Sequence, residues 1–257
     1  MEFEKFERRP PSPQNAFDIF RGKWASDFAG LIPVETGGAA PIATSDPRPV
    51  LASEALGRQG RLEGFRVLEL GPLEAGHTFQ FEQLGAHEIV AIEANVEAYL
   101  KCLIVKEAVG LSRSRFLLGD FCEYLETTDD RFDLVFASGV LYHMADPIGL
   151  IESIGRVTDR CFVWTHYYDP DAYTGPPRTA KPDARDPRII RYEHQYEDMG
   201  LGRFWGGNVS LNVWLSRADI LSSFESVGFR HISVLQEHRE HENGAAFSFA
   251  ASRMPLE

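Results

Sequence analysis

Four groups of residues with chemical capacity each follow a short apolar run: Glu69 with Gly71, Glu93, Asp120 with Phe121, and Ser138-Gly139-Val140-Leu141-Tyr142-His143. A carboxylate at Glu93, 22 residues after Gly71, can take both hydroxyls of a ribose. Asp120 can accept a hydrogen bond from an exocyclic amine, and Phe121 offers a flat apolar wall. His143 and His166 supply imidazoles, the side chains that exchange protons near neutrality. Each feature also has a plain structural reading. Gly71-Pro72 serves as a turn, Glu93 as a helix cap, Asp120 as a solvated loop acid or cap, and His143 as packing. Four such features in register point to an adenosine-containing cofactor.

They form one site only if the runs before them are strands of a single sheet, because ligands of open α/β sheets bind beyond the carboxyl ends of the strands. The runs RVLEL (66–70), EIVAIE (88–93), SRFLLG (114–119), FDLVFAS (132–138) and RCFVWTH (160–166) read as those strands. Helical patterns separate them. In NVEAYLKCLIVKEAV the residues Val96, Leu100, Leu103, Val105 and Ala108 give a stripe. In DPIGLIESIGRV, Asp146 caps, Pro147 opens the first turn, and Ile148, Ile151, Ile154 and Val157 share a face. Strands alternating with helices predict a parallel sheet with right-handed crossovers. The expected fold is α/β, Rossmann-like and doubly wound. It has a mostly parallel seven-stranded sheet, an antiparallel edge strand, an N-terminal helical extension and an insertion after strand five.

The organisation expected is an extension over 1–60, a cofactor-binding core over 61–166, an insertion over 167–215 and a C-terminal completion over 216–257. In the extension, a helix is expected from Asn15 to about Phe28, then loop through IPVETGGAAPIATSDPRP, then a helix from Asp46-Pro47 through Leu56. Phe17, Phe20, Trp24 and Phe28, with a Gly-Gly pair as hinge, suggest a lid over the cofactor, or else packing against the sheet. The insertion is rich in Tyr and Trp: Tyr167, Tyr168, Tyr192, Tyr196, Trp205 and Trp214 wall an apolar or sugar-like substrate or form a small core of their own. Beyond it, Ser216 and Asp219 have capping-box spacing, Gly228 ends a helix, and HISVLQE (231–237) with AAFSFAAS (245–252) reads as a hairpin.

The loop after the first strand runs Gly71-Pro72-Leu73-Glu74-Ala75-Gly76, with Leu73 and Ala75 where a dinucleotide loop has glycines. Those glycines let the backbone approach a pyrophosphate at a helix N-terminus. Two side chains there disfavour a nicotinamide dinucleotide. The bulk numbers narrow the partner. A formal net charge of −12 with no dense Lys/Arg run sets a nucleic-acid substrate at a disadvantage and favours a small molecule. Arg178, Lys181, Arg185, Arg188 and Arg191 are the one place a local basic patch could form. Three cysteines without a CxxC fit a reducing compartment and no structural zinc. No apolar run reaches the roughly 18 residues a bilayer requires, and MEFEKFERRPP is unlike a secretory signal, so a cytoplasmic location without membrane partners is expected. No metal site is expected; His166, Asp169, Asp171 and His194 are too loosely spaced to match a standard one.

Residues 66–166 resemble the core of class I S-adenosylmethionine-dependent methyltransferases. FDLVFASGVLYHMADPIGLIESIGRV resembles that family's fourth-strand motif, in the branch with a Tyr-His pair and Asp-Pro, and the pattern is similar to the tRNA uridine-5-oxyacetic-acid carboxymethyltransferase group. The resemblance implies that Glu69 and Gly71 lie beside the methionine part of S-adenosylmethionine. It places Glu93 at the ribose, Asp120 and the Phe121 amide at the adenine, and Ser138 and Gly139 under the sulfonium. Pro72, Leu73, Glu74, Ala94, Asn95 and Tyr142 complete the expected cofactor set. Glu74, or Glu69 through a water, would serve the ammonium. His143 and His166 are the candidate catalytic bases. The expected activity is methyl transfer to a small molecule, on oxygen. The alternatives are tRNA (carboxy)methylation or cofactor binding without catalysis.

Overall fold

A computed structural model of the chain describes residues 6–196 and 209–255. Trp205, expected among the rings of the insertion, lies outside them. The element order is α1 (Pro13–Asp18), α2 (Ile42–Ser45), α3 (Arg48–Leu56), β1 (Arg66–Leu70), α4 (Gly76–Gln83), β2 (Glu88–Glu93), α5 (Val96–Val109), β3 (Ser114–Leu118), α6 (Phe121–Thr127), β4 (Leu134–Ser138), a 3₁₀ turn (Leu141–His143), α7 (Pro147–Val157), β5 (Arg160–His166), β6 (Thr179–Pro182), β7 (Ile190–Gln195), β8 (Leu211–Trp214), α8 (Arg217–Ser226), β9 (His231–His238) and β10 (Ala246–Ser252).

The main sheet has seven strands in the order β3-β2-β1-β4-β5-β10-β9. Strands β1 to β5 pair in parallel, and β10 runs antiparallel between β5 and the edge strand β9. Alternation along β1 explains the layers. Leu68 and Leu70 join a core with α6, α7 and α8, while Val67 faces Phe81 of α4 and Ala52 and Leu56 of α3. The strand order reverses at β1, whose neighbours β2 and β4 lead to opposite sides. The crevice beyond β1 and β4 is therefore the place where such sheets bind ligands. Among the described residues, no helix is long and apolar enough to cross a membrane.

Strands β1, β2 and β5 have the expected bounds, as does the cap of α7, where the Asp146 side chain accepts from Gly149 N. Ser216 caps α8 by accepting from Asp219 N at 3.1 Å. Three expectations fail. The helix over Asn15–Phe28 ends at Asp18, and the chain turns through Gly22 at φ +74°. The aromatic spacing mimics a helical period, but the rings meet each other instead. Phe17 stacks on Trp24 at 4.7 Å, Phe28 meets both edge-on, and Trp24 Nε1 donates to Phe17 O. These rings are buried against α5, and that is the packing alternative to a lid. Gly38 of the supposed hinge lies against backbone: a Cβ there would sit 2.4 Å from Ser26 O.

The stripe of α5 is also misassigned. Val96 and Leu103 are exposed, while Ala98, Lys101, Cys102 and Val105 are buried, because Lys101 has a buried partner. The expected 32–49 loop contains the short α2, and the insertion contains a second, three-stranded antiparallel sheet, β6-β7-β8.

Candidate active site

The loop leaving β1 keeps a glycine-type backbone without the glycines. Gly71, Leu73 and Ala75 have φ of +68°, +65° and +62°. The left-handed region costs an L-residue roughly 1–2 kcal/mol, so the two side chains store strain that surrounding bonds must hold. Leu73 N donates to Glu93 Oε2 at 3.2 Å, the Cys102 thiol donates to Leu73 O at 3.3 Å, and Ala75 N donates to Pro72 O at 3.0 Å.

The carboxylates of this half are buried. Glu69, 1% exposed, accepts from the Thr78 hydroxyl through Oε2, and its Oε1 has no partner among the described residues. Burial, reinforced by the nearby Glu93 charge and opposed by the Thr78 bond, pushes its carboxyl up to about 8. Glu93 ends β2 and takes Asn95 N on Oε1 at 2.8 Å, besides Leu73 N. Burial raises it too, against bonds from the Asn95, Leu73 and Ala94 amides. Asn95 caps α5 by accepting from Ala98 N. Asp120 caps α6 by accepting from Cys122 N at 2.8 Å, and the Phe121 ring sits in the core rather than as an open wall.

Glu74 departs from expectation. Its carboxylate accepts from Ala25 N and Ser26 N and pairs with Lys101 Nζ at 3.1 Å. With both oxygens held there, it is not available to an ammonium. Glu69 is left as the acid with an open acceptor.

The other half of the crevice, beyond β4 and β5, is lined with rings. Tyr142 lies 4.0 Å from the His143 ring and 4.6 Å from the His166 ring, so the two imidazoles share one cleft. His166 stacks on Trp214 at 5.2 Å and meets Trp164 and His241 edge-on. Its Nδ1 lies 2.8 Å from Gly244 O. A carbonyl can only accept, so Nδ1 carries the proton and Nε2 keeps its lone pair. Gly244 must be glycine: its φ is +106°, and a Cβ would fall 2.8 Å from Trp214. His143 Nδ1 is bonded at 2.8 Å to the Tyr196 hydroxyl, contributed by the insertion. Burial lowers both imidazoles to about 4, so the expected titration near neutrality is corrected and both are neutral at pH 7. For His143 the neighbouring His166 adds to the lowering; for His166 the Gly244 bond opposes it. Trp214 Nε1 is buried without a partner among the described residues.

Sequence reading missed Arg48. From the start of α3 it reaches across to donate to Ser138 Oγ at 2.8 Å, and its guanidinium lies 5.1 Å over the Trp164 ring. Asp46 holds it with bonds to Nε and Nη2. Burial works against the Asp46 charge, but bonds from Arg48 and His77 outweigh it and hold its carboxyl far below the usual range. Only an Arg following an Asp-Pro was visible beforehand, too common a pattern to single out. The supposed basic patch is neutralised. Lys181 pairs with Glu193, Arg185 with Asp146 and Asp183, Arg188 with Asp186, and Arg191 with Asp183, while Arg178 lies 4.2 Å over Trp214. Asp169, considered for a metal, pairs with Arg239, and among the described residues no cluster of three His, Cys, Asp or Glu could hold a metal ion.

Residues 62–167 match the family described as "Methyltransferase domain". Among curated proteins, a tRNA U34 carboxymethyltransferase of Campylobacter hominis is 27% identical over 93 residues, 36% of this chain and 32% of that protein. One of Sulfurimonas denitrificans is 24% identical over 125 residues, 45% of this chain and 38% of that protein. The matched stretches span about a third of the length of these curated relatives. Among solved structures, the N-terminal domain of EvdMO1, crystallised in the presence of SAH and D-fucose, superposes with a TM-score of 0.68 at 22% identity, covering 93% of this chain and 94% of that one. Magnesium protoporphyrin IX methyltransferase of Synechocystis PCC 6803, with bound SAH, gives 0.50 at 14% identity over 76% and 77%. At these identities the likeness is one of fold.

Proposed function

We propose that the chain, whose residues 62–167 match a methyltransferase domain family, is a class I S-adenosylmethionine-dependent methyltransferase that transfers the methyl group to a hydroxyl oxygen of a small, sugar-like acceptor. The residues beyond β1 and β2 fit the cofactor. The orphaned Glu69 Oε1 offers an acceptor for the ammonium of the methionine tail, directly or through a water. Gly71, Pro72 and Leu73 would pass along that tail, Glu93 with Ala94 and Asn95 would meet the ribose, Asp120 and the Phe121 amide the adenine, and Ser138 and Gly139 the sulfonium. Two buried carboxylates, each costly to ionise alone, favour a cationic ligand over a pyrophosphate. S-adenosylmethionine, when bound, supplies the electrophilic methyl group.

The observation that carries the acceptor reading is His166. Pinned through Nδ1 to Gly244 O, it keeps a neutral Nε2 in a ring-lined cleft at the end of β5. There Nε2 takes the proton of the acceptor hydroxyl while the rings of Tyr142 and Trp164 hold the acceptor in line and exclude water. Trp214 Nε1 adds a donor of the kind a hydroxylated ligand uses. Arg48, bonded to Ser138 Oγ, would donate to the acceptor oxygen. Three of its five N–H donors are engaged, so a donor remains for that oxygen. The presence of D-fucose with the EvdMO1 domain lends support to a sugar as the acceptor class.

The names of the curated relatives favour a second reading, modification of a tRNA uridine. The net charge of −12 and the acid-paired cations of the insertion weigh against it. A panel of hydroxylated sugars and of tRNA, incubated with S-adenosylmethionine and assayed for S-adenosylhomocysteine, separates the two. Turnover with sugars, insensitive to salt, is expected. Turnover with tRNA alone, falling steeply with salt, would overturn the proposal.

A further inference from the structure

Glu74 sits between the two left-handed residues of the cofactor loop, and its side chain is fully enclosed. Its oxygens are held by three donors: Ala25 N at 3.1 Å, Ser26 N at 2.7 Å and Lys101 Nζ at 3.1 Å. Lys101, 1% exposed, also donates to Lys23 O at 2.6 Å, and its ammonium lies 5.7 and 5.5 Å from the Phe20 and Trp24 rings. The next residue of α5, Cys102, bonds Leu73 O. Two consecutive residues of one helix thus grip the loop, and residues 23–26 close the grip from the far side.

A buried ion pair adds little stability over a well-packed apolar substitute, and Lys101 has a second carboxylate in Glu97 at 3.4 Å. In some proteins the gain from such a pair is that it fixes one arrangement among several. Here the arrangement is a backbone that neither Leu73 nor Ala75 adopts readily.

We infer that Glu74, Lys101 and the backbone of residues 23–26 form a clasp that holds the loop in its cofactor-binding conformation, making them positioning residues for a ligand they do not touch. The inference rests on the cofactor reading above. It gives the aromatic N-terminal segment a task other than covering the cleft: its rings shield the Lys101 ammonium and keep the ion pair dry.

The test is calorimetric titration of S-adenosylmethionine into the full chain. Glu74→Gln keeps the size of the side chain and removes its charge. The dissociation constant should rise about tenfold or more, the equivalent of releasing one strained residue, while turnover at saturating cofactor stays within about twofold. Glycine takes left-handed backbone without penalty. Ala75→Gly should therefore recover part of the affinity in the Glu74→Gln chain and change it by less than about threefold in the wild type. Equal affinity of wild type and Glu74→Gln overturns the clasp, as does the same effect of Ala75→Gly in both backgrounds. Wild type that binds no S-adenosylmethionine overturns the cofactor reading as well. If Glu74→Gln does not fold, hydrogen exchange on the wild type decides. S-adenosylhomocysteine should slow the Ala25 and Ser26 amides together with that of Leu73, and slowing at Leu73 alone refutes the clasp.

Discussion

Burial pushes the ionisable groups of the two halves of the crevice toward their uncharged forms from opposite directions. Beyond β1 and β2 the groups are carboxylates, and burial raises Glu69 and Glu93 toward the protonated form. Beyond β4 and β5 they are imidazoles, and burial lowers His143 and His166 toward the free base. Desolvation penalises the charged form in both, so one physical cause moves the two sets of pKa values apart. On the proposed function the difference divides the roles: the buried acids would meet a cation, and the neutral imidazoles among rings would take a proton. Separated pKa values in neighbouring groups are a mark of acid–base sites.

The contrast breaks most readily at His166. Its replacement by Asn should lower turnover by about 10²–10⁴-fold with cofactor affinity nearly intact. The wild-type rate should stay level from pH 8 to near 5.5 and fall as pH approaches the His166 value of about 4. A wild-type pH–rate profile retained by His166→Asn would remove it as the base. The same replacement at His143 should act through KM, since the Tyr196 hydroxyl, unlike the Gly244 carbonyl, can donate to Nδ1 and leave Nε2 protonated, without a lone pair for the acceptor.

Glu69 tests the acid half. Its folded value near 8 lies above the ordinary 4.5, so the folded state holds its proton more tightly than the unfolded chain. The resulting stability is fully present below pH 4.5 and is lost as pH rises through 8, with a ceiling slope of about 1.4 kcal/mol per pH unit in between. Denaturant melts of the cofactor-free protein should show wild type losing stability between pH 5 and 8 relative to Glu69→Gln. Parallel curves would mean that Glu69 is ionised throughout.

Glu93→Ala should weaken S-adenosylmethionine binding by about 1.5–3 kcal/mol, the range for hydrogen bonds to a charged group. Part of that loss reflects the freed Leu73 amide. Unchanged affinity in a titration would remove Glu93 from the ribose. The smallest effect is expected at Tyr196→Phe, which deletes one hydrogen bond to His143 and should cost about 0.5–1.5 kcal/mol of stability. A much larger loss in thermal melts would mean that the insertion depends on that bond for docking.

The central strands were legible because each is a contiguous apolar run between turn residues, a local signal. Glu69, Gly71 and Glu93 could be placed from that register alone. The side chains that depend on distant partners were not legible. Lys101 looks like a solvent-facing residue of α5 until Glu74 is brought beside it, and Arg48 has no visible target until Ser138 arrives from β4. The aromatic N-terminal segment carried a misleading helical spacing, since a period of three or four also suits rings that pile against one another. The β6-β7-β8 sheet has strands as short as Thr179–Pro182, fully exposed, with no alternation to detect. Burial lowered the two imidazoles further than residue type alone suggested.

The grip on residues 23–26 also sets an order of assembly. Its bonds join residues 78, 49 and 48 positions apart, from Lys101 to Lys23 and from Glu74 to Ala25 and Ser26. Contacts that distant close large loops and form late. Synthesis runs from the N-terminus, so this segment leaves the ribosome before its receptor does, and Phe17, Phe20, Trp24 and Phe28 have no partner groove until α5 has emerged. The segment is thus made before the groove that receives it, and in the interval its rings are exposed apolar surface of the kind that makes a partly folded chain prone to aggregate.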